Sequence, residues 1–369
     1  MISDRGRLSW GLCVATLNRP DMLVRCVEHA LAQTRPPAEI AIADASDDWE
    51  AHRGRIRETL AAATNGAEVR LVFLGHPEKS SARQRNAALT AMSADVAFVI
   101  DDDSLMEPDC AETIMALYDA DAEGRVAGIA GVNVAGDDAA ARAVAKGTAL
   151  KDAGGIRRSA RMRAAVRRSG LARWVLKEVL LQSRDRIFLR YDEPGTHHGR
   201  DTAAALALPG TRYTEFLPGW GMTVRREVAL RELFDDGLLA YCPTEDLDAS
   251  YRWGRHGVCL VAEGARINHV EAAAGRIKRR KVTALSLMNS AYFTRRNSRR
   301  PARDAARFYG LATRRVLAET LKDLITGRLS LPQARGAAWA LVRSPTVWRQ
   351  DRADLPDWYA GLQRRILAG

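Results

Sequence analysis

Short apolar runs that alternate with helical patterns constrain this chain more than any other feature. Leu8–Ala15, Glu39–Ala43, Val69–Leu74, Ala94–Ile100 and Val126–Val134 have strand length, the fourth broken only by Asp95. Met22–Ala32, Ala82–Met92 and Pro108–Tyr118 have helical periodicity, and Thr16-Leu-Asn-Arg-Pro20 reads as the turn that opens the first of them. Strands alternating with helices predict βαβ units, hence a mostly parallel, doubly wound α/β half over residues 8–135.

Acids cluster where these strands end. The second run stops at Asp44, and the fourth runs into Asp101-Asp-Asp-Ser104. In open α/β sheets the ligand crevice lies outside the carboxyl ends of the strands. Three adjacent carboxylates repel one another there. A hard divalent cation shared with a substrate phosphate relieves that repulsion. The alternative is a solvated acidic turn.

The remaining sequence changes texture twice. Over 136–212 basic residues from Lys151 to Arg190 stand against few acids, and Leu171, Trp174, Val175, Val179 and Leu180 recur at roughly helical spacing. This is a basic helical insertion, either with a solvated face or in contact with an anionic lipid surface or phosphorylated acceptor. His197 and His198 within it lack a cysteine or acid at zinc spacing and read as surface residues. Residues 213–270 return to α/β texture. Residues 271–369 read as a helical, basic C-terminal extension, with Trp339, Trp348 and Trp358 folding back. The expected division is thus 1–135, 136–212, 213–270 and 271–369.

Composition narrows the partners. The 369 residues carry a net charge of +11, with 27% charged and 47% hydrophobic residues, which is a globular mixture with an anionic partner. Cys13, Cys26, Cys110, Cys242 and Cys259 are odd in number and form no CxxC pair, as expected in a reduced compartment without disulfides or structural zinc. The N-terminal MISDRGRLSWGLCVA has no apolar core of signal-peptide length, and no run reaches the roughly 18 apolar residues of a membrane span. The expected home is the cytoplasm, with attachment to the inner face of the membrane as a further option.

Four elements occur in a fixed order: ATLNRP (15–20), ADASD (43–47), VIDDDS with Pro108 beyond it, and GWGMTVRRE (219–227) followed by TEDLDASYR (244–252). Together they resemble the family 2 inverting glycosyltransferases of the GT-A fold, over about residues 8–270. MNSAYFTRRN (288–297) resembles a segment that follows the catalytic domain in bacterial relatives making surface polysaccharide.

The resemblance implies a nucleotide-sugar donor, UDP- or GDP-linked, a glycan or lipid-linked acceptor, and Mn²⁺ or Mg²⁺. Asp101 and Asp103 match the acids of the D-x-D metal motif. Asp103 would coordinate the metal directly, and Asp101 would touch ribose or support the metal. Asp102 fills the middle position, and Ser104 replaces an acid common in relatives, which leaves metal preference open. Thr16, Asn18, Arg19, Asp44, Asp101 and Asp102 would bind the nucleotide sugar, with Asp44 facing the base or else capping its own turn. Arg85, in the Arg85-Asn86 element, joins them, although the residues alone do not decide whether Arg85 or Arg83 faces phosphate. Asp246 would be the general base and Glu245 would orient the acceptor, or both would complement a helix dipole behind a Thr244 cap. Trp220 and Gly221 would form the acceptor wall, with a plain core tryptophan as the alternative. His269 would be a further metal ligand or a structural histidine.

Two rivals are weighed. A sugar-phosphate nucleotidyltransferase should carry a Gly-rich phosphate loop where TLNRPD stands. A non-enzymatic binder of nucleic acid or anionic surfaces should interleave aromatics with its basic runs, and aromatic content is only 6%. Nucleic acid is therefore not expected as a partner.

Overall fold

The computed structural model describes residues 7–63, 68–134, 170–181, 183–240, 242–270 and 278–368. The basic positions between Lys151 and Arg168, and Arg276, lie outside them. The chain divides into two compact units.

The first unit comprises the described residues within 1–148, 195–235 and 245–275. Its elements are β1 (Trp10–Thr16), α1 (Pro20–Leu31), β2 (Glu39–Asp44), α2 (Trp49–Ala63), β3 (Arg70–Gly75), α3 (Ser81–Ala91), β4 (Val96–Val99), β5 (Ser104–Met106), α4 (Cys110–Ala120) and β6 (Val126–Asn133). They continue as α5 (Arg200–Leu206), β7 (Thr211–Thr214), β8 (Met222–Arg225), α6 (Arg226–Arg231), α7 (Glu245–Trp253) and β9 (Val258–His269). The sheet runs β3-β2-β1-β4-β8-β6-β9-β5, and β7 also pairs with β9.

The first four strands are parallel, as alternating βα patterns require. β1, β2 and β4 are buried on both faces, which explains their near-continuous apolar runs, whereas β3 at the sheet edge is only partly buried. β8 then enters antiparallel between β4 and β6. β9 is twelve residues long: it pairs with β6 from Val258 to Ile267 across register shifts, with β7 over Cys259–Ala262, and its last three residues pair with β5. The core between sheet and helices is built from Trp10, Leu12, Phe98, Ile114 and Tyr118 among others.

Two elements were invisible to apolar spacing. α2 buries only His52, Ile56 and Leu60, too thin a stripe to read among its charges and alanines. β5 is three residues long and exists because β9 pairs with it.

The second unit comprises the described residues within 149–194, 236–244 and 276–369. It contains α8 (Arg279–Asn297), α9 (Pro301–Ile325), α10 (Pro332–Arg343) and α11 (Leu355–Ala368), and a turn of helix at Gly170–Trp174 that widens into a π-helix at Val175–Val179. Pro301 and Pro332 open two of the helices at positions where the missing N–H costs nothing. The MNSAYFTRRN segment lies in α8, with Met288 to Thr294 buried and Tyr292 stacked on Tyr359 at 4.3 Å. Trp348 packs against Phe308 in the same unit.

Candidate functional site

The carboxyl ends of β1, β2 and β4 bring the strand-end acids together. Thr16, the last residue of β1, donates its hydroxyl to Asp102 Oδ2 at 2.7 Å. Arg19 ion-pairs with Asp102 at 2.9 Å and with Asp103 at 3.4 Å. Asn18 sits at φ 54°, a left-handed conformation that asparagine tolerates, and donates its N–H to Ser46 Oγ at 2.7 Å. Burial, opposed by Arg19 and reinforced by Asp103, pushes the Asp102 carboxyl up to about 7.

Asp44 is fully buried. Its Oδ1 accepts from the Ser46 amide and hydroxyl at 2.8 and 2.5 Å, and its Oδ2 meets His52 Nδ1 at 2.6 Å. Asp44 thus caps its own turn at the end of β2, the second of its two expected roles. His52 was not singled out in the sequence, because a lone histidine in a charged helix carries no signal.

Antiparallel pairing of Ser104 with His269 carries the end of β9 to the acids. His269 Nε2 lies 3.3 Å from Asp103 Oδ1 and 4.0 Å from Asp101 Oδ2. One donor atom from each of Asp101, Asp103 and His269 falls within 4.8 Å of the others. Two carboxylates and an imidazole make a donor set suited to Mn²⁺ or a related divalent cation. The buried Ser104 hydroxyl beside them has no hydrogen-bond partner among the described residues.

The second acidic motif approaches through Arg85. Its Nη2 donates to Asp101 at 2.6 Å and its Nη1 to Glu245 at 2.7 Å, and the guanidinium lies over the Phe234 ring. Burial works against its charge, but Asp101 and Glu245 hold it protonated. Arg83 instead pairs with Glu78, half-exposed. Burial, with Asp246 adding to it and Arg85 opposing, pushes the Glu245 carboxyl up to about 8.

Asp246 accepts the Gly219 N–H at 3.0 Å on Oδ2 and the Leu247 N–H at 2.9 Å on Oδ1. It thereby ties the first turn of α7 to the Gly219-Trp220-Gly221 loop. Gly219 packs against Arg85, where an added Cβ would stand 3.2 Å from Nη2. Trp220 is half-buried and stacks on His269 at 6.0 Å with 15° between the rings. Gly221 is buried, and an added Cβ would lie 3.2 Å from Ile267.

The Thr244 hydroxyl donates to the Pro243 carbonyl instead of capping a helix, and its φ of 75° is unusual for a β-branched residue. His197 is half-buried, with its ring packed on Tyr251 at 4.2 Å, while His198 is exposed as expected. Asp248, two residues beyond Asp246 on the same helix, points away from the site into a buried pair with Arg252, which continues to Glu232. All five cysteines are buried with free thiols.

The model of the family described as "Glycosyltransferase like family 2" matches residues 10–284. The chain belongs to this family. It is a glycosyltransferase with an α/β, GT-A-like fold and a helical C-terminal region. No curated protein sequence matches it significantly. Among solved structures, the mannosyltransferase PcManGT from Pyrobaculum calidifontis, determined with GDP-Man and Mn²⁺, is similar at TM-score 0.51 and 15% identity, over 98% of this chain and 88% of that one. GalNAc-T7, determined with UDP, GalNAc and Mn²⁺, is similar at TM-score 0.53 and 14% identity, over 96% of this chain and 59% of that one. At these identities the likeness is one of fold.

Proposed function

We propose that this transferase moves a sugar from a UDP- or GDP-linked donor to a hydroxyl of a glycan or lipid-linked acceptor, with inversion at the anomeric carbon. The supporting observation is that Arg85 joins the Asp101–Asp103–His269 group to the helix turn that carries Glu245 and Asp246. The reading assigns the donor side to residues 1–135 and the acceptor side to 213–270. It places the enzyme in the cytoplasm, in cell-envelope glycan synthesis, against an anionic membrane surface and without nucleic acid.

Asp103, Asp101 and His269 would hold Mn²⁺ or Mg²⁺, which when bound supplies positive charge against the leaving diphosphate. The chain's own residues do the rest. Thr16, Asn18, Arg19, Asp44 and Asp102 form the nucleotide side, with Arg19 contributing a fixed cation. Asp246 takes the acceptor proton as the acceptor oxygen bonds to the anomeric carbon and the bond to the diphosphate oxygen breaks. Its two N–H partners orient the carboxylate and leave lone pairs for that proton. Glu245 and Arg85 position this turn, while Trp220 and Gly221 offer an apolar wall to a sugar ring.

Melting curves with UDP, GDP, CMP and dTDP, each with and without Mn²⁺, test this reading. One nucleotide should stabilise the wild type only with metal, Asp103→Ala should abolish the effect, and Asp246→Asn should keep it. Stabilisation by none of them would sink the donor assignment.

A further inference from the structure

An apolar face in the helical unit has no cover among the described residues. Leu317, Leu324, Ile325 and Leu329 follow α9 into the loop beyond it, and Leu171 and Trp174 lie on the helical turn before the π-helix; all six are between 51 and 83% exposed. The α9 leucines recur at helical spacing and form one stripe. Arg314, one turn before Leu317, donates to the Glu178 carbonyl at 3.0 Å and so ties the two apolar groups together.

Along the α9 part of this face the exposed charge has one sign. Between residues 305 and 350 both acids, Glu319 and Asp323, are buried. Glu319 is neutralised by Arg315 and Lys322, and Asp323 accepts the Gln333 and Ala334 amides at the start of α10. Every exposed charged residue in that stretch is an arginine, including Arg314, Arg335 and Arg343. Exposed acids return only at Asp351, Asp354 and Asp357. Exposed leucines and a tryptophan flanked by arginines suit a surface with acyl chains below and negative headgroups above. Two copies meeting here would bring arginine against arginine. No described helix is long and apolar enough to cross a membrane, so such a face would lie in the interface.

We propose that the leucine stripe of α9, with Leu171 and Trp174, is the surface by which the enzyme docks on anionic lipid. This deepens the membrane setting proposed above, and it joins the C-terminal helices to the end of the 136–212 segment that carries Leu171 and Trp174.

The test is co-sedimentation of the full chain with vesicles of phosphatidylcholine alone or mixed with phosphatidylglycerol, at low and high salt. Wild type should bind the anionic vesicles about tenfold or more tightly than the neutral ones. The triple variant Leu317→Ser, Leu324→Ser, Leu329→Ser should lose about tenfold, with the residual binding abolished by salt. Nucleotide-dependent melting run on the same samples reports the donor site separately and confirms that the variant is folded. Absence of vesicle binding, or binding indifferent to the leucines, overturns the proposal. A wild-type dimer that the serines dissociate would also overturn it, by assigning the face to a second copy.

Discussion

Asp246 is held by two backbone donors, so its carboxylate has one orientation before any acceptor arrives. Asp246→Asn keeps the shape and removes the proposed base; turnover measured with donor and acceptor should fall about 10²- to 10⁴-fold with nucleotide affinity unchanged. Arg85 is a different kind of residue. Removing it leaves the buried Glu245 carboxylate unpaired once it ionises, so Arg85→Ala should cost about 3–5 kcal/mol in denaturant unfolding above pH 8. Lysine cannot fork to two acids, so Arg85→Lys should recover only part of that loss. Glu245 supplies a pH signature. Its carboxyl is raised from 4.5 to about 8 in the folded chain, so the folded state binds the extra proton between those values. Its contribution to stability is therefore complete below about pH 4.5 and is lost as pH rises toward 8. Melting curves of wild type and Glu245→Gln should diverge across that window, and parallel curves would refute the assignment. The acids themselves were legible in the sequence because they follow apolar runs. The bridge through Arg85 was not, since 160 residues separate it from Glu245.

At the scale of elements, β5 and β9 decide the site. Three residues of pairing bring His269 to Asp103, and no periodicity announces a strand so short. In the helical unit, buried Asn289 on α8 donates to the Pro243 carbonyl at 2.7 Å and accepts from the Tyr359 hydroxyl. Gln363 holds the same loop from both sides, accepting the Leu239 amide at 2.9 Å and donating to the Gly237 carbonyl at 2.6 Å. That loop leads directly into Glu245 and Asp246. Asn289→Ala strands a buried carbonyl and a phenol, and should cost about 1–3 kcal/mol in chemical denaturation. α8 and α10 meet at Gly336, where an added Cβ would stand 2.3 Å from the Arg280 carbonyl. Because that neighbour is backbone, Gly336→Ala should cost about 1–3 kcal/mol by forcing the helices apart. Small residues at such a contact carry no sequence signal of their own, because their role depends on what lies opposite.

At the scale of the molecule, the net charge of +11 conceals a local excess of the other sign. The candidate site gathers five acids, Asp101, Asp102, Asp103, Glu245 and Asp246, around the guanidinium groups of Arg19 and Arg85. A divalent cation relieves that excess, so Mn²⁺ at about 100 times its dissociation constant should stabilise the enzyme by about 2.7 kcal/mol without nucleotide. Chelation should reverse the gain in melting temperature, and Asp103→Ala should show none.

The sequence by itself determined the α/β class, the strand ends where acids gather, and the family, since each rests on local periodicity or on short motifs in order. Only the tertiary structure decided which acids meet which cations, that His269 joins Asp101 and Asp103, that Asp248 and His197 serve packing, and that the α9 leucines face outward. Those outcomes depend on β8 entering antiparallel, on the two-sided pairing of β9 and on helix contacts. Such pairings between distant segments are set by the summed burial of the whole chain, which no local window of residues records.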